Sequence, residues 1–279
     1  MTSRDIWTPR RRARRAIALA VAAAAVVSWA GSTLADDHTQ DMQIGNQVYA
    51  DMLSKGLIVQ QSPFYQALRA TGVRIDKAAS PHWFTTQFII IQGNSVNAFS
   101  APDGRIYVNV GLLRSADNAD ELAAVLGHEM GHLVLGHVVA RTQTQAHMNA
   151  FSQFMQKFVH SKGAENTYTA ATIVGQYGFL NFTRSQEYAA DQKGVDLAAR
   201  AGYNPWGSVW FFQEIEKLYG DAGFEQYVQE HPSTSNRIER IESYIKSQPK
   251  KFGHFSPTLR DTSGLPMSQK GDTLQQTPH

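Results

Sequence analysis

Between Leu122 and Val139 the apolar residues Leu122, Val125, Leu126, Met130, Leu133, Val134, Leu135, Val138 and Val139 fall on every side of a helix. A helix that is apolar all round is buried all round. Asn118 and Glu121 have capping-box spacing at its start, with Asp117 and Asp120 near the positive end of its dipole. A second helix is predicted from Thr183, which has the same spacing to Gln186, through Val195, Ala198 and Ala199 to a stop at Gly202, with Pro205 beyond. Residues 204–219 form an amphipathic helix whose Trp206, Trp210, Phe211, Phe212, Ile215 and Leu218 are core, and residues 36–56 read as a helix wrapped on that core. Phe88 to Ile91 and Arg105 to Val110 read as strands, with Pro102-Asp103-Gly104 as a hairpin turn between Phe99 and Ile106. The fold class expected is α+β, mostly helical, with a small β-sheet or hairpin over the first helix.

That buried helix contains His128-Glu129-Met130-Gly131-His132. Helix positions four apart lie roughly 40° apart around the axis and about 6 Å along it, so both imidazoles reach one ion. Glu129 is offset from that stripe, where a carboxylate takes a proton from a metal-activated water without itself being a ligand. Two histidines and a glutamate inside an apolar helix are costly unless something satisfies them, and a metal does. His137 lies nine residues beyond His128, about 900° round the axis, and therefore faces away from the ion as a core or ligand-supporting histidine. Gly127 and Gly131 are either a flat strip for a close neighbour or neutral substitutions in the helix.

A catalytic site of this type needs a third protein ligand and keeps the fourth position for water. Glu187 is the best candidate. It shares a helix face with Asp191, which is placed to orient a ligating histidine by accepting its other ring hydrogen. On periodicity alone the pair also reads as a solvated acidic face.

The combination of His128-Glu129-x-x-His132 with Glu187-x-x-x-Asp191 resembles the gluzincin zinc metallopeptidases that include the CaaX prenyl endopeptidase, the membrane protease HtpX and soluble periplasmic quality-control proteases. The segments 97–108, 111–113, 201–205 and 231–238 agree, so the resemblance covers roughly residues 40–247, and no metal-site position departs from the pattern. It implies a gluzincin metalloprotease domain with one Zn2+ per chain, held by His128, His132 and Glu187, and Glu129 as the catalytic base. It also implies that His231 faces the zinc, either stabilising the oxyanion of the tetrahedral intermediate or occupying the open coordination position in a resting state. Arg237 is placed to pair with Asp191 or with the developing charge. An edge strand at Asn97, Ala98 and Phe99 would hold an extended peptide by main-chain hydrogen bonds, or else forms an ordinary structural hairpin. Hydrolysis without a covalent intermediate follows, Glu129 taking a proton from water and returning it to the leaving amine.

Composition adds the compartment. Residues 1–35 carry Arg4, Arg10, Arg11, Arg12, Arg14 and Arg15, an apolar run from Ala16 to Ala30, and Thr33-Leu34-Ala35 as a small-residue cleavage site. This reads as a signal peptide, with an uncleaved membrane anchor as the alternative; Arg14-Arg15 only weakly resembles a twin-arginine signal. Without those residues the net charge falls from +2 to near −3, and no basic stripe is left that would argue for nucleic acid. The chain has no cysteine, so any zinc is held by nitrogen and oxygen. Residues 36–250 are expected to form the metallopeptidase domain and 251–279 a flexible tail. Residues 142–182, rich in Gln, Met and Phe, read as a lid or a helical hairpin.

The function expected is an exported, periplasmic zinc endopeptidase acting on unfolded or misassembled envelope polypeptides. The alternative is a self-inhibited or inactive zinc-stabilised chaperone or binding module; a hydrolase of a non-protein bond is a third reading.

Overall fold

The helix predicted to be buried on every side lies at the centre of the domain. The computed structural model describes residues 38–142, 182–230, 237–260, 262–268 and 272–274; the predicted signal peptide, the segment between the two motifs from 143 to 181, and His231 lie outside these. In chain order the elements are α1 (38–54), β1 (Gln61–Ser62), α2 (Tyr65–Ala79), β2 (Gln87–Ile91), β3 (Ala98–Ser100), β4 (Arg105–Asn109) and α3 (Val110–Ser115). There follow α4 (Ala119–Val134), α5 (His137–Thr142), α6 (Arg184–Arg200), α7 (Gly207–Glu230), α8 (Arg237–Ser247), α9 (Pro249–Phe252) and β5 (Asp272–Thr273). Among the described residues, no helix is long and apolar enough to cross a membrane.

The caps set the helix ends. Asn118 Oδ1 accepts from the N–H groups of Asp120 and Glu121, both at 3.0 Å. The Glu121 carboxylate reaches back to the N–H of Asp117 at 2.8 Å, one residue earlier than the predicted box. Gly136, at φ +70°, ends the segment and lets α5 start in a new direction at His137. For α6 the predicted capping box is complete between Thr183 and Gln186. Its stop is a Schellman motif, with Gly202 at φ +79° and the Tyr203 N–H donating to Ala198 O at 2.9 Å.

The predicted strands join into one sheet of order β2-β4-β3. β2 runs parallel to β4, with Phe88 opposite Ile106 and Ile90 opposite Val108. β3 is antiparallel to β4 across the predicted turn, so it is an edge strand. Phe99 stacks on its cross-strand partner Tyr107 with ring centroids 4.8 Å apart, which puts Ala98 and Ser100 on the opposite face. Val110, read as a strand end, instead starts α3.

α4 and α6 approach through small residues. A Cβ on Gly127 would lie 2.9 Å from Gly194 O, and one on Gly131 3.0 Å from Ala190 O, so the glycines form the flat strip. α1 buries Ile44, Val48 and Met52. α7 begins at Gly207, later than expected, because Asn204 Oδ1 accepts from the Trp206 N–H at 3.1 Å and Pro205 cannot continue a preceding ladder. Its Trp206, Trp210, Phe211, Phe212 and Ile215 are core, but Leu218 is 51% exposed, since one apolar residue on a wet face costs little. Composition gave 251–279 as a flexible tail. Among the described residues there, Phe252 and Leu265 are buried, Pro257 O accepts from Trp210 Nε1 at 2.9 Å, and β5 pairs with β1.

Candidate metal centre

α4 and α6 bring three side chains to one point. Nε2 of His128 and Nε2 of His132 stand 3.1 Å apart. Glu187, in the first turn of α6, places Oε2 3.5 Å from the first nitrogen and Oε1 3.4 Å from the second. All three residues are buried, with their donor atoms within 4.8 Å of one another, and this group could hold a metal ion.

Tautomers follow from the atoms behind the rings. His128 Nδ1 lies 3.0 Å from Asp191 Oδ1, so it donates to the carboxylate and its Nε2 presents a lone pair to the centre. His132 Nδ1 lies 3.1 Å from Nδ1 of His137. The ring of Phe182 stacks on His132 with centroids 3.7 Å apart, fixing the imidazole plane. His137, predicted to face away from the ion, therefore backs one of the two rings that face it. Burial lowers its pKa, the carboxylate of Glu187 acting in the opposite sense.

Arg237, from α8, closes the cluster. Its Nε donates to Asp191 Oδ2 at 2.7 Å and its Nη2 to Oδ1 at 2.6 Å, a bidentate pair that is almost fully buried. The same Nη2 lies 3.3 Å from Glu187 Oε2 and 3.2 Å from His128 Nδ1, and the guanidinium carbon sits 4.6 Å from the centre of the Phe212 ring. For Asp191 burial alone would raise the pKa. The charge of Arg237, with hydrogen bonds from His128 and Arg237, outweighs burial and holds the carboxyl below its ordinary value.

Glu129, which follows His128 in α4, is buried and accepts a hydrogen bond at 3.1 Å from Ser100 Oγ on β3. Asn97, Ala98 and Phe99 lie at the β3 edge and are buried, with Asn97 O accepting from the Asn109 N–H at 3.0 Å. The other described histidines sit elsewhere: His38 stacks on Trp83, His82 bonds Asp76, and His254 packs on Phe255. The structure thus gathers His128, His132, Glu187, Asp191 and Arg237, with Glu129 next to His128 in α4. Sequence reasoning missed Ser100, Phe182, Phe212 and Gly194. A lone hydroxyl in the run Ala98-Phe99-Ser100-Ala101 was the available signal for Ser100; nothing local marks the others.

Comparison with known proteins adds relatives. The chain is 24% identical to the beta-barrel assembly-enhancing protease of Escherichia coli (strain K12) over 219 residues, covering 75% of this chain and 44% of the relative. It is 33% identical to the mitochondrial metalloendopeptidase OMA1 of Arabidopsis thaliana over 155 residues, 56% of this chain and 30% of that one. Against the mitochondrial metalloendopeptidase OMA1 of Bos taurus it is 30% identical over 168 residues, 56% of this chain and 32% of the relative. The chain thus spans less than half the length of these curated relatives. The model of Peptidase family M48 matches residues 67–245, well over half of the chain and inclusive of every gathered site residue. On that match, laid over two imidazoles and a carboxylate that converge from α4 and α6, this chain belongs to Peptidase family M48.

Proposed function

We propose that this protein is a zinc-dependent endopeptidase that cleaves unfolded or misassembled polypeptides of the cell envelope. The observation that carries the reading is that the two imidazole nitrogens stand 3.1 Å apart with one oxygen of the Glu187 carboxylate near each, at 3.5 Å from His128 and 3.4 Å from His132. Donors bound tetrahedrally to zinc at 2.0–2.1 Å stand about 3.3 Å from one another. Lone-pair atoms at that spacing repel unless a cation lies between them, and two imidazoles with one carboxylate suit zinc and leave a position for water. His128, His132 and Glu187 would hold the ion. When bound, it supplies Lewis acidity, making water nucleophilic at neutral pH and polarising a carbonyl.

The chain's own residues do the rest. Asp191 and His137 hold the two imidazoles in the tautomers that turn Nε2 inward, and Arg237 keeps Asp191 ionised. Glu129 takes the proton from water and delivers it to the leaving amine. The outer edge of β3, at Asn97, Ala98 and Phe99, seats the substrate backbone as an added strand, which reads little side-chain sequence and so suits unfolded chains. His231 is assigned to the oxyanion or to a self-inhibited resting state. The leader-like residues 1–35 support export to the periplasm, with an anchor as the alternative.

The test combines metal content with casein cleavage for the parent and for Glu129→Gln, Glu187→Ala and His231→Ala, each with and without chelator. The parent should bind one zinc and cleave, chelation should stop it, Glu129→Gln should keep zinc and lose cleavage, and Glu187→Ala should lose both. A parent and a His231→Ala protein that load zinc yet leave casein intact would sink the endopeptidase reading in favour of a binding module.

A further inference from the structure

A carboxylate that must take a proton from one place has to be held in one orientation, and a helix backbone leaves the side-chain torsions of glutamate unset. Glu129 is only 1% exposed, and a hydrogen bond ties it to a different element: Ser100 Oγ on β3 donates to its Oε2 at 3.1 Å. Ser100 is equally buried and is fixed by the sheet. It pairs with Ile106 of β4, and the next residue closes the hairpin through Ala101 N–H to Arg105 O at 2.8 Å. Strand alternation sends Phe99 to the face of Tyr107 and Ser100 to the face of α4. Its chain neighbours Ala98, Phe99 and Ala101 are apolar and buried, where an unbonded hydroxyl is costly. The bond to the base offsets that cost.

We infer that Ser100 is a positioning residue for Glu129, an inference that rests on the endopeptidase reading above. Its hydroxyl holds Oε2, and with it the plane of the carboxylate that takes the proton from water. Ser100 keeps its own proton throughout, and no bond to it is made or broken. Because Ser100 belongs to the strand assigned to seat the peptide, the base and the substrate ledge form one rigid body, and the distance from base to scissile carbonyl does not depend on the helix alone.

The experiment uses the full chain as Ser100→Ala, Ser100→Thr, Glu129→Gln and Glu129→Ala. On a fluorogenic peptide Ser100→Ala should keep one zinc per chain and its KM, and lower kcat about tenfold, the size of one hydrogen bond to a charged group. Ser100→Thr retains the hydroxyl and should recover most of the rate. In metal-free protein, Ser100→Ala should shift the unfolding equilibrium about tenfold toward the unfolded state in the parent, and should not destabilise the Glu129→Ala background, where the hydroxyl has already lost its acceptor. An unchanged kcat, a zinc loss that matches the activity loss, or an additive unfolding cycle overturns the inference. If Glu129→Gln cleaves like the parent, the endopeptidase reading has failed at its base, and the unfolding cycle decides the Ser100 contact by itself.

Discussion

Asp191 accepts from three donors with two oxygens: Arg237 Nε at Oδ2, and both Arg237 Nη2 and His128 Nδ1 at Oδ1. Asparagine has the same shape but one oxygen and one amide group. Whichever way it turns, a donor faces a donor, either at Arg237 Nε or at the shared position between Nη2 and His128. Asp191→Asn therefore loses at least one charge-assisted hydrogen bond and takes from the buried guanidinium the nearer of its two carboxylates, leaving Glu187 Oε2 at 3.3 Å from Nη2, which together cost about 3 kcal/mol of stability. The imidazole of His128 also loses its anionic support, and removal of such support lowers metal affinity about 10- to 100-fold, or about 1.4–2.7 kcal/mol. Urea unfolding of the metal-free protein measures the first quantity, and competition against a chromogenic chelator measures the second. The pH dependence has a definite sign. A carboxyl held below its ordinary value of 3.8 contributes stability in full above that value and loses it as pH falls through the lower folded value, so the gap between parent and variant is complete at neutral pH and narrows in acid. A variant with the parent's zinc affinity and unfolding midpoint at pH 7 would refute this account of His128.

Glu121, fully buried at the start of the same helix, has its carboxyl pushed by burial from 4.5 up to about 7. A raised value favours the neutral form in the fold, so this contribution is present in full below 4.5 and is lost as pH rises to about 7, amounting to about 3 kcal/mol at 1.36 kcal/mol per unit. Glu121→Gln should therefore gain on the parent in unfolding experiments from pH 5 to pH 8, and parallel curves would count against it. In Gly194→Ala the new Cβ would stand 2.8 Å from His128 N and 3.0 Å from Gly127 C. Overpacking of about 1–3 kcal/mol should exceed the helix-propensity gain of about 1 kcal/mol, lowering the melting temperature and weakening zinc binding; a higher melting temperature would show that the two helices can separate without cost.

What was legible in the sequence was local. The caps at Asn118 and Thr183, the stop at Gly202 and the turn at Pro102-Asp103-Gly104 each act within a few residues, and each is where its pattern places it. The pairing of His128 and His132 with Glu187 was legible because a helix period fixes two donors and chemistry demands a third. Contacts between distant segments were not. No spacing announces that β2 lies parallel to β4, that Gly194 is the partner of Gly127, or that Ser100 bonds Glu129. The polar composition of 251–279 suggested freedom, but composition does not record that a few apolar anchors such as Phe252 and Leu265 suffice to lay a chain down. Arg237 lay between these cases, its partner guessed among others and its contact with His128 unforeseen.

The contact between Arg237 and His128 joins residues 109 positions apart in the chain, and Glu187 comes from between them. A growing chain that has emerged only as far as α6 possesses every ion-binding donor but lacks the cation that steadies Asp191. In such an intermediate Asp191 has the His128 ring but not the guanidinium, and a fragment clipped ahead of α8 lacks that guanidinium permanently. The support that Asp191 gives His128 is therefore completed only once α8 has packed against α6.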